Sequence, residues 1–401
     1  MVFGWIILAT VTATFLFMII SAIYDRLKKR PILEYPFISF LIPTYKDGDS
    51  IKNTIKTIYK SYKKGKFEVI VVNDCSPDNT LQILKELKKK YPMKILSNKK
   101  NMGKVASVNK AIDASRGKVC FVIDSDILLN KKAVEECISR LEDDKIKAVS
   151  CRYMPITKGP FSLMQSFEYG FLYFTAAPHN LTSSLFIWGG CIAIKRDILL
   201  KVGKFSLNSI CEDTDLAMKI RALGYKVQQC YTSVFTHVPQ TPREWFHQKI
   251  RWTGGTVQNA ITHWRTMFSN PVTLFFILSM ILVIIAFIVT AILNIVEIAQ
   301  FFVSFEFFYT VSLSSVTAVT IAALGGAIGI LQAVGFMLLG TIMHIPSVII
   351  GHQKIIRDPH HILWVIPFAI IYMPVYGFVS FLGFLWGIKK YHQLKHGGRG
   401  W

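Results

Sequence analysis

Two acidic segments and one aspartate carry the side chains best suited to chemistry. Residues 124–126 (DSD) and Asp74 each follow an apolar run, and residues 212–215 (EDTD) lie further along the chain. Paired carboxylates can hold Mg²⁺ or Mn²⁺ against a diphosphate, because hard divalent cations prefer oxygen ligands. A carboxylate beside a bound substrate can instead act as a general base. Each also has a plainer explanation: DSD and Asp74 as surface turns, and EDTD as the acidic first turn of a helix over 214–223.

A third segment, residues 248–252 (QKIRW), combines a cation with an aromatic face. Arg251 could balance charge on a leaving group, and the Trp252 ring could stack on a sugar ring. The segment ends the stretch Thr241–Trp252, which begins with a Thr suited to an N-cap and a Pro suited to the first turn. Its apolar and aromatic residues alternate with charged ones, which predicts a helix in a membrane interface. Taken alone, QKIRW is an ordinary part of such a helix.

Short apolar runs alternate with amphipathic segments from residue 36 onward. This alternation predicts an α/β domain whose parallel sheet is covered by helices on both faces. Such sheets bind ligands beyond the carboxyl ends of their strands, which is where Asp74 and DSD fall. The predicted strands are Phe37–Tyr45, Phe67–Asp74, Met93–Leu96 and Lys118–Asp124, and the predicted helices are Ile51–Tyr62, 78–90 and Val105–Ala114.

Two other parts of the chain are apolar enough to enter a membrane. Residues 3–23 are almost entirely apolar and are followed by a basic cluster at 26–30. This pattern predicts an uncleaved anchor with its N-terminus outside and the following residues in the cytosol. The apolar region 271–388 is long enough for four helical spans, and three is the alternative. Four spans return the basic C-terminal tail to the cytosol, as the positive-inside rule favours. The predicted organisation is an anchor (1–25), a cytosolic domain (36–240), an interfacial region (241–265), the spans (271–388) and a basic tail (389–401).

The net charge of +21 and the seven cysteines limit the partners and the compartment. The basic residues form no stripe with interleaved aromatics, so nucleic acid is not an expected partner. Anionic lipid and a bound nucleotide diphosphate account for the excess charge. No two cysteines form a CxxC pair. Their spacing indicates a reducing compartment and neither a zinc site nor a disulfide framework.

The motifs VNDCSPD, NMGKVASVN, DSD, EDTD and QKIRW occur in this order between residues 37 and 260. The ordered set closely resembles the processive membrane glycosyltransferases of family 2, which include cellulose, chitin, hyaluronan and poly-N-acetylglucosamine synthases. The resemblance implies a GT-A-type α/β domain, with a Rossmann-like mixed and mainly parallel sheet, joined to α-helical transmembrane segments. It also implies a UDP-sugar donor, a polysaccharide or lipid acceptor, surrounding membrane lipid, and Mg²⁺ or Mn²⁺ as cofactor.

The resemblance assigns a donor-binding role to several residues. Asp74 would read the uracil base, and Lys104 would meet the diphosphate. Asp126 would bind the metal, while Asp124 would lie towards the ribose and sugar. Arg251 would steady the departing diphosphate. The loop bordering the nucleoside would consist of Pro43, Thr44, Tyr45 and Asp47.

The resemblance also assigns the catalytic and acceptor residues. Asp213 would be the base, Trp252 would stack on the acceptor, and Gln248 would complete the QxxRW motif. Glu212 and the loop 188–191 would lie near the acceptor, although a tight turn before a strand at 191–195 explains this loop equally well. The loop consists of Trp188, Gly189, Gly190 and Cys191.

The implied reaction is a single displacement that inverts the anomeric centre, followed in processive members by passage of the polymer through the membrane helices. Residues 386–390 (WGIKK) resemble an element that follows the last span of hyaluronan-type synthases. His237 replaces an acidic residue found in many relatives, and it is either structural or a contact for metal or phosphate. One rival is a non-processive lipid glycosyltransferase similar to ceramide glucosyltransferase. A non-catalytic transporter or scaffold would predict a broken motif, and all the motifs are intact.

Overall fold

A mixed sheet of seven strands forms the centre of the computed structural model, which describes residues 2–28, 31–156, 159–184, 187–279, 281–282, 285, 289, 292 and 363–395. The strand order is β3-β2-β1-β4-β6-β5-β7. Only β6 runs antiparallel to its two neighbours, β4 and β5. This confirms the mixed, mainly parallel arrangement expected from the sequence. The strands are β1 (Ile38–Thr44), β2 (Phe67–Asn73), β3 (Lys94–Ser97), β4 (Val119–Ile123), β5 (Ile146–Pro155), β6 (Cys191–Lys195) and β7 (Lys226–Thr236).

Helices cover both faces of the sheet and extend beyond it. A 3₁₀-helix (Ala177–Leu181) follows α6, residues 271–279 are helical, and a π-helical turn (Phe368–Tyr372) leads into α11. The helices and strands predicted between residues 37 and 124 are present, with boundaries displaced by at most three residues. The helices are α1 (Val2–Leu27), α2 (Gly48–Ser61), α3 (Thr80–Lys90), α4 (Lys104–Ala114), α5 (Lys131–Leu141), α6 (Pro160–Ala176), α7 (Arg196–Lys201), α8 (Glu212–Ala222), α9 (Pro242–Thr262), α10 (Trp264–Phe268) and α11 (Met373–Lys395).

The two faces of the sheet bury separate hydrophobic cores. Successive side chains of a strand point to opposite faces, so Phe40 and Ile42 of β1 enter one core and Leu41 enters the other. The first core includes residues of α2, α3 and α5, and the second includes residues of α4, α7 and α8. Burial on both sides explains why these strands read as continuous apolar runs.

Two helices in the described part of the chain are long and apolar enough to cross a membrane, Ala9–Leu27 and Val365–Leu394. The first is fixed to the α/β domain by Asp25, which is 3% exposed. The Asp25 carboxylate accepts hydrogen bonds from Arg140 Nη2 at 2.8 Å and from Asn180 Nδ2 at 3.0 Å. The spans predicted between residues 293 and 362 lie outside the described residues.

Helix α9 is longer than the predicted helix and packs closely against α11. Thr241 caps its start by accepting a hydrogen bond from Glu244 N, as predicted. A Cβ atom added at Gly387 would lie 2.6 Å from Gly254 O, and one added at Gly383 would lie 2.8 Å from Thr253 Cβ. The spacing of these α11 glycines, GxxxG, allows two helix backbones to approach each other. The helix that carries the QKIRW segment is therefore joined directly to a candidate membrane helix.

Candidate active site

The DSD turn follows β4 at the carboxyl edge of the sheet and is held by its neighbours. Asp124 N donates to Gly190 O at 2.8 Å. Thr54 Oγ1, on α2, donates to Ser125 O at 2.7 Å, and Ser125 Oγ donates to a carboxylate oxygen of Asp47. These bonds fix the directions of the two aspartate side chains. Asp47, predicted at the nucleoside loop, thus also positions the DSD turn.

Lys104 forms an ion pair inside the predicted site. Its Nζ atom lies 2.6 Å from Asp124 Oδ1 and 3.7 Å from Glu212 Oε1. Lys104 opens α4 directly after Gly103, whose φ of +86° favours glycine. Withdrawal from water lowers the pKa of Lys104, but Asp124 and Glu212 more than offset this and raise it above its usual value. The structure therefore brings together Lys104, Asp124 and Glu212, which are far apart in sequence.

Asp213 lies in the first turn of α8, and its carboxylate titrates near neutrality. Burial, followed by the neighbouring charge of Glu212, raises the pKa of Asp213 to about 7. The Thr214 backbone N–H, which donates to Asp213 Oδ1 at 2.6 Å, and the charges of Lys104 and Arg251 limit the rise. A carboxylate with this pKa can exchange a proton at physiological pH, as a general base must.

The loop before β6 contacts both functional carboxylates. A Cβ atom added at Gly189 would lie 2.6 Å from Asp213 Oδ2, and one added at Gly190 would lie 3.1 Å from Asp124 Oδ2. Tyr153 holds the loop, because its hydroxyl donates to Trp188 O at 2.8 Å and accepts from Cys191 N at 2.9 Å and from Gly190 N. The loop is thus a tight connection that also borders the site. Sequence reasoning missed Tyr153, which lies near the end of β5 without a motif around it.

Asp126, the predicted metal ligand, has other carboxylates near it. Burial raises the pKa of Asp126, and the nearby carboxylates of Asp124 and Asp47 raise it further. Its Oδ2 atom accepts one hydrogen bond, from Thr236 Oγ1 at 3.0 Å. Closely placed carboxylates that repel one another are stabilised by a hard cation. His237 follows Thr236 and is exposed, so its structural and ligand roles both remain open.

The predicted nucleoside side lies at the ends of β1 and β2. Tyr45 is 39% exposed, while Asp74 is only 3% exposed. The Asp74 carboxylate accepts hydrogen bonds from Met102 N at 2.8 Å, Gly103 N at 2.7 Å and Asn98 Nδ2 at 2.7 Å. Asp74 therefore holds the loop that leads to Lys104, and its role in reading a base stays a prediction. Pro43 and Thr44 are the last two residues of β1.

The predicted acceptor side is an aromatic wall made by Trp252, Tyr169 and Trp188. The Trp252 and Tyr169 ring centroids are 5.9 Å apart, and those of Tyr169 and Trp188 are 6.1 Å apart. Behind the wall, Lys249 Nζ lies 4.0 Å from the Trp252 ring centroid and 2.6 Å from Glu168 Oε1. Lys249 and Glu168 are each 1% exposed at their side chains. This buried ion pair fixes the wall, and neither residue was predicted to contribute to the site.

Gln248 and Arg251 line a cavity of about 470 Å³ between α9 and α11, together with Trp386. Arg251 also acts on Asp213, the predicted base, since its charge lowers the pKa of that carboxyl. The apolar residues of α9 pack against protein: Trp245 is 5% exposed, and its Nε1 donates to Tyr372 OH at 2.6 Å. The placement of α9 in a membrane interface stays a prediction.

Comparison with known proteins agrees with this geometry. Residues 39–203 match the model of Glycosyl transferase family 2, so this part of the chain is similar to the domains of that family. Probable glycosyltransferase YdaM of Bacillus subtilis is 30% identical over 233 residues, or 55% of this chain and 56% of the relative. Poly-beta-1,6-N-acetyl-D-glucosamine synthase of Staphylococcus aureus is 25% identical over 239 residues, or 57% of each chain. The chain thus spans little more than half the length of these relatives.

A solved structure shares the fold over most of the chain. It is the mannosyltransferase PcManGT from Pyrobaculum calidifontis, determined in complex with GDP-Man and Mn²⁺. The TM-score is 0.56 at 21% identity, and the match covers 89% of this chain and 99% of that one. At this identity the likeness shows the fold alone.

Proposed function

We propose that the protein transfers a sugar from a UDP-sugar to the growing end of a β-linked polysaccharide, with inversion at the anomeric carbon and passage of the product across the membrane. The observation that carries the transferase reaction is the convergence of Asp213, Lys104 and Asp124 beside the loop of Gly189 and Gly190. The named S. aureus synthase supports a polymeric product, and UDP rests on the motif resemblance.

Asp213 acts as the base in this proposal. With a pKa of about 7, an appreciable fraction of its carboxyl is ionised at neutral pH. The ionised carboxylate takes the proton of an acceptor hydroxyl as that hydroxyl attacks the anomeric carbon. Because Gly189 has no side chain, the loop can lie against Asp213 without displacing its carboxylate. A single attack from the side opposite the leaving group inverts the centre, so an α-linked donor gives a β-linked product.

Lys104 and Arg251 receive the leaving diphosphate. Both cations lie close enough to Asp213 to lower its pKa, which supports a shared role beside this carboxylate. Asp126, with Asp124 beside it, would hold Mg²⁺ or Mn²⁺, which supplies charge neutralisation for a diphosphate when bound. Donor binding would exchange the Lys104–Asp124 ion pair for a Lys104–phosphate contact, and Lys is suited to this as a point charge.

The acceptor would lie along the aromatic wall, since sugar rings stack on flat aromatic faces. The wall belongs partly to α9, which packs against α11, so a product leaving Trp252 begins next to a candidate membrane helix. This position suits delivery of a polymer into the membrane. It also requires the catalytic domain to face the cytosol, where nucleotide sugars are made, with the N-terminus outside.

The second candidate is a non-processive transfer to a lipid acceptor. The cavity lined by Gln248, Arg251 and Trp386 favours it, because a lipid could reach the site along α11 without leaving the membrane. The two proposed functions use the same sugar donor and the same base, Asp213, and they differ in the number of sugars in the product.

The test is UDP release by detergent-purified protein with Mn²⁺ or Mg²⁺. The donors are UDP-N-acetylglucosamine, UDP-glucose and, because the fold relative binds it, GDP-mannose. Products are sized by gel and extracted for glycolipid. The matched variants are Asp213→Asn and Asp113→Asn, the latter an exposed carboxylate paired with Lys204.

A high-mass product that disappears only in Asp213→Asn supports the synthase, and a single sugar on lipid supports the second candidate. Turnover of GDP-mannose alone contradicts the UDP assignment. Absence of turnover with every donor and acceptor contradicts the enzymatic proposal.

A further inference from the structure

Four cysteines that are distant in sequence meet inside the catalytic domain. They come from α5, β5, β6 and β7, and each is fully buried. Cys151 Sγ lies 3.3 Å from Cys191 Sγ and 3.5 Å from Cys137 Sγ. The sulfur atoms of Cys137, Cys151 and Cys230 all lie within 4.8 Å of one another. We call Cys137, Cys151, Cys191 and Cys230 the thiol cluster.

The sheet register explains how the thiol cluster forms. Ser150 of β5 pairs with Ile192 of antiparallel β6, so the next residue of β5, Cys151, faces Cys191. Ser150 also pairs with Gln229 of parallel β7, which brings the following Cys230 beside Cys151. Helix α5 packs over β5 and β7 and supplies Cys137. All four side chains therefore enter the same core, on one face of the sheet.

We propose that the thiol cluster binds a thiophilic d¹⁰ cation, with Zn²⁺ as the physiological occupant. A tetrahedral zinc site with Zn–S bonds of about 2.3 Å places its sulfur atoms about 3.8 Å apart. The observed separations of 3.3 and 3.5 Å are within half an ångström of this value. Cys137, Cys151 and Cys230 form three corners. Cys191, whose Sγ lies 3.3 Å from Cys151 Sγ, would supply the fourth by moving its sulfur toward Cys137 and Cys230.

The charge around the thiol cluster supports a bound metal. Each thiol that binds zinc gives its proton to solvent, so four thiolates and one Zn²⁺ carry a net charge of −2. Two buried guanidiniums, each 1% exposed, lie on the elements that carry the thiol cluster. Arg152 directly follows Cys151 on β5, and Arg140 lies three residues after Cys137 on α5, where it also pairs with Asp25 and Glu136.

The proposed site is separate from the catalytic cation site at Asp126 and has a different chemistry. Thiolates select soft cations, whereas carboxylates select Mg²⁺ or Mn²⁺. Cys191 directly follows Gly190, so a metal bound to the thiol cluster would tie the start of β6 to β5 and β7. The loop that contacts Asp213 and Asp124 would then have a fixed base.

The experiment measures the metal content of the full-length protein, purified in detergent without chelators from cells grown with added zinc. We expect about one zinc ion per chain after dialysis. X-ray absorption at the zinc edge should show sulfur as the main ligand. Cys151→Ala should remove the zinc, and the matched variant Cys120→Ala, which changes an equally buried cysteine outside the cluster, should retain it.

If Cys151→Ala does not fold, the ligand set of the wild-type zinc still decides the question. Zinc bound mainly by nitrogen or oxygen, or folded wild-type protein that contains no zinc and takes up neither Zn²⁺ nor Cd²⁺ during expression, would overturn the proposal. These readouts do not depend on turnover, so they are independent of the proposed function.

Discussion

Replacing Lys249 by Met should destabilise the catalytic domain strongly and weaken acceptor use. Lys249 Nζ and Glu168 Oε1 are 2.6 Å apart, and both side chains are 1% exposed. Glu168 Oε2 also accepts hydrogen bonds from Trp245 Nε1 at 3.3 Å and from Tyr372 OH. Lys249→Met leaves this carboxylate buried with two neutral donors and no cation.

The magnitude follows from the burial of the pair. Removing one partner of a buried ion pair costs about 3–5 kcal/mol, because the remaining charge is uncompensated. Lys249→Met also removes a desolvated cation 4.0 Å from the Trp252 ring, a contact that contributes about 2 kcal/mol. The double variant Lys249→Met/Glu168→Gln removes both charges and keeps an acceptor for Trp245. It should cost no more than either single variant, so that the two substitutions show a coupling energy of at least about 3 kcal/mol.

The assay is urea unfolding in detergent, followed by tryptophan fluorescence, for both single variants and the double variant. The control is Lys52→Met, which breaks an exposed ion pair with Asp49 and should cost less than about 1 kcal/mol. In parallel, the Michaelis constants for donor and acceptor are measured at a temperature where Lys249→Met is folded. Because Lys249 supports Trp252 and not the donor residues, the acceptor constant should rise while the donor constant stays unchanged.

Two results would refute this reasoning. If Lys249→Met unfolds at the same urea concentration as Lys52→Met, the Lys249–Glu168 ion pair does not stabilise the packing of α6 against α9. If the double variant is less stable than both single variants, the cost does not come from an uncompensated charge. An equal rise in both Michaelis constants would mean that Lys249 supports the whole fold and has no particular role at Trp252.

Three further predictions concern the base and the glycines. Glu212→Gln removes a charge that raises the pKa of Asp213. Since the ionised carboxylate is the active form, the acid limb of the kcat/KM pH profile, near pH 7, should move to lower pH. An acid limb that does not move contradicts the assignment of Asp213 as the base. Gly189→Ala places a methyl group 2.6 Å from Asp213 Oδ2. If the carboxylate shifts by about 1 Å to make room, kcat for UDP release should fall by about 100-fold, while circular dichroism shows that the fold is retained. An unchanged kcat would contradict this. Gly387→Leu should separate α9 from α11 and abolish transfer, whereas Gly377→Leu, at a position with open space, should remain active in the same assay.

The donor side of the site could be predicted because its residues are local to strand ends. Apolar runs locate β1, β2 and β4, and the carboxyl edge of a parallel sheet brings the residues after them together. Asp124 and Lys104 meet for this reason. Lys104 and Glu212 are far apart in sequence, but both could be named as candidate site residues because each belongs to one of the family motifs.

The remaining features depend on contacts between segments that are distant in sequence and that share no motif or periodic pattern. Tyr153 reaches the loop before β6 across the β5–β6 pair, and Glu168 meets Lys249 through the packing of α6 on α9. An apolar face on α9 predicts burial and does not say whether protein or lipid covers it. The thiol cluster shows the same limit, because the missing CxxC spacing says nothing about cysteines that neighbouring strands bring together.

If α11 spans a membrane, as proposed, the glycine contact between α9 and α11 links the aromatic wall to the thickness of the bilayer. A span whose apolar length differs from the hydrocarbon thickness accommodates the difference by tilting. Because no side chain separates the two backbones where Gly254 meets Gly387, α9 must follow any tilt of α11, and Trp252 moves with it. The distance between Trp252 and Asp213, on α8, is then sensitive to lipid chain length. Membrane composition would thereby act on the geometry of transfer without any ligand binding to the catalytic domain.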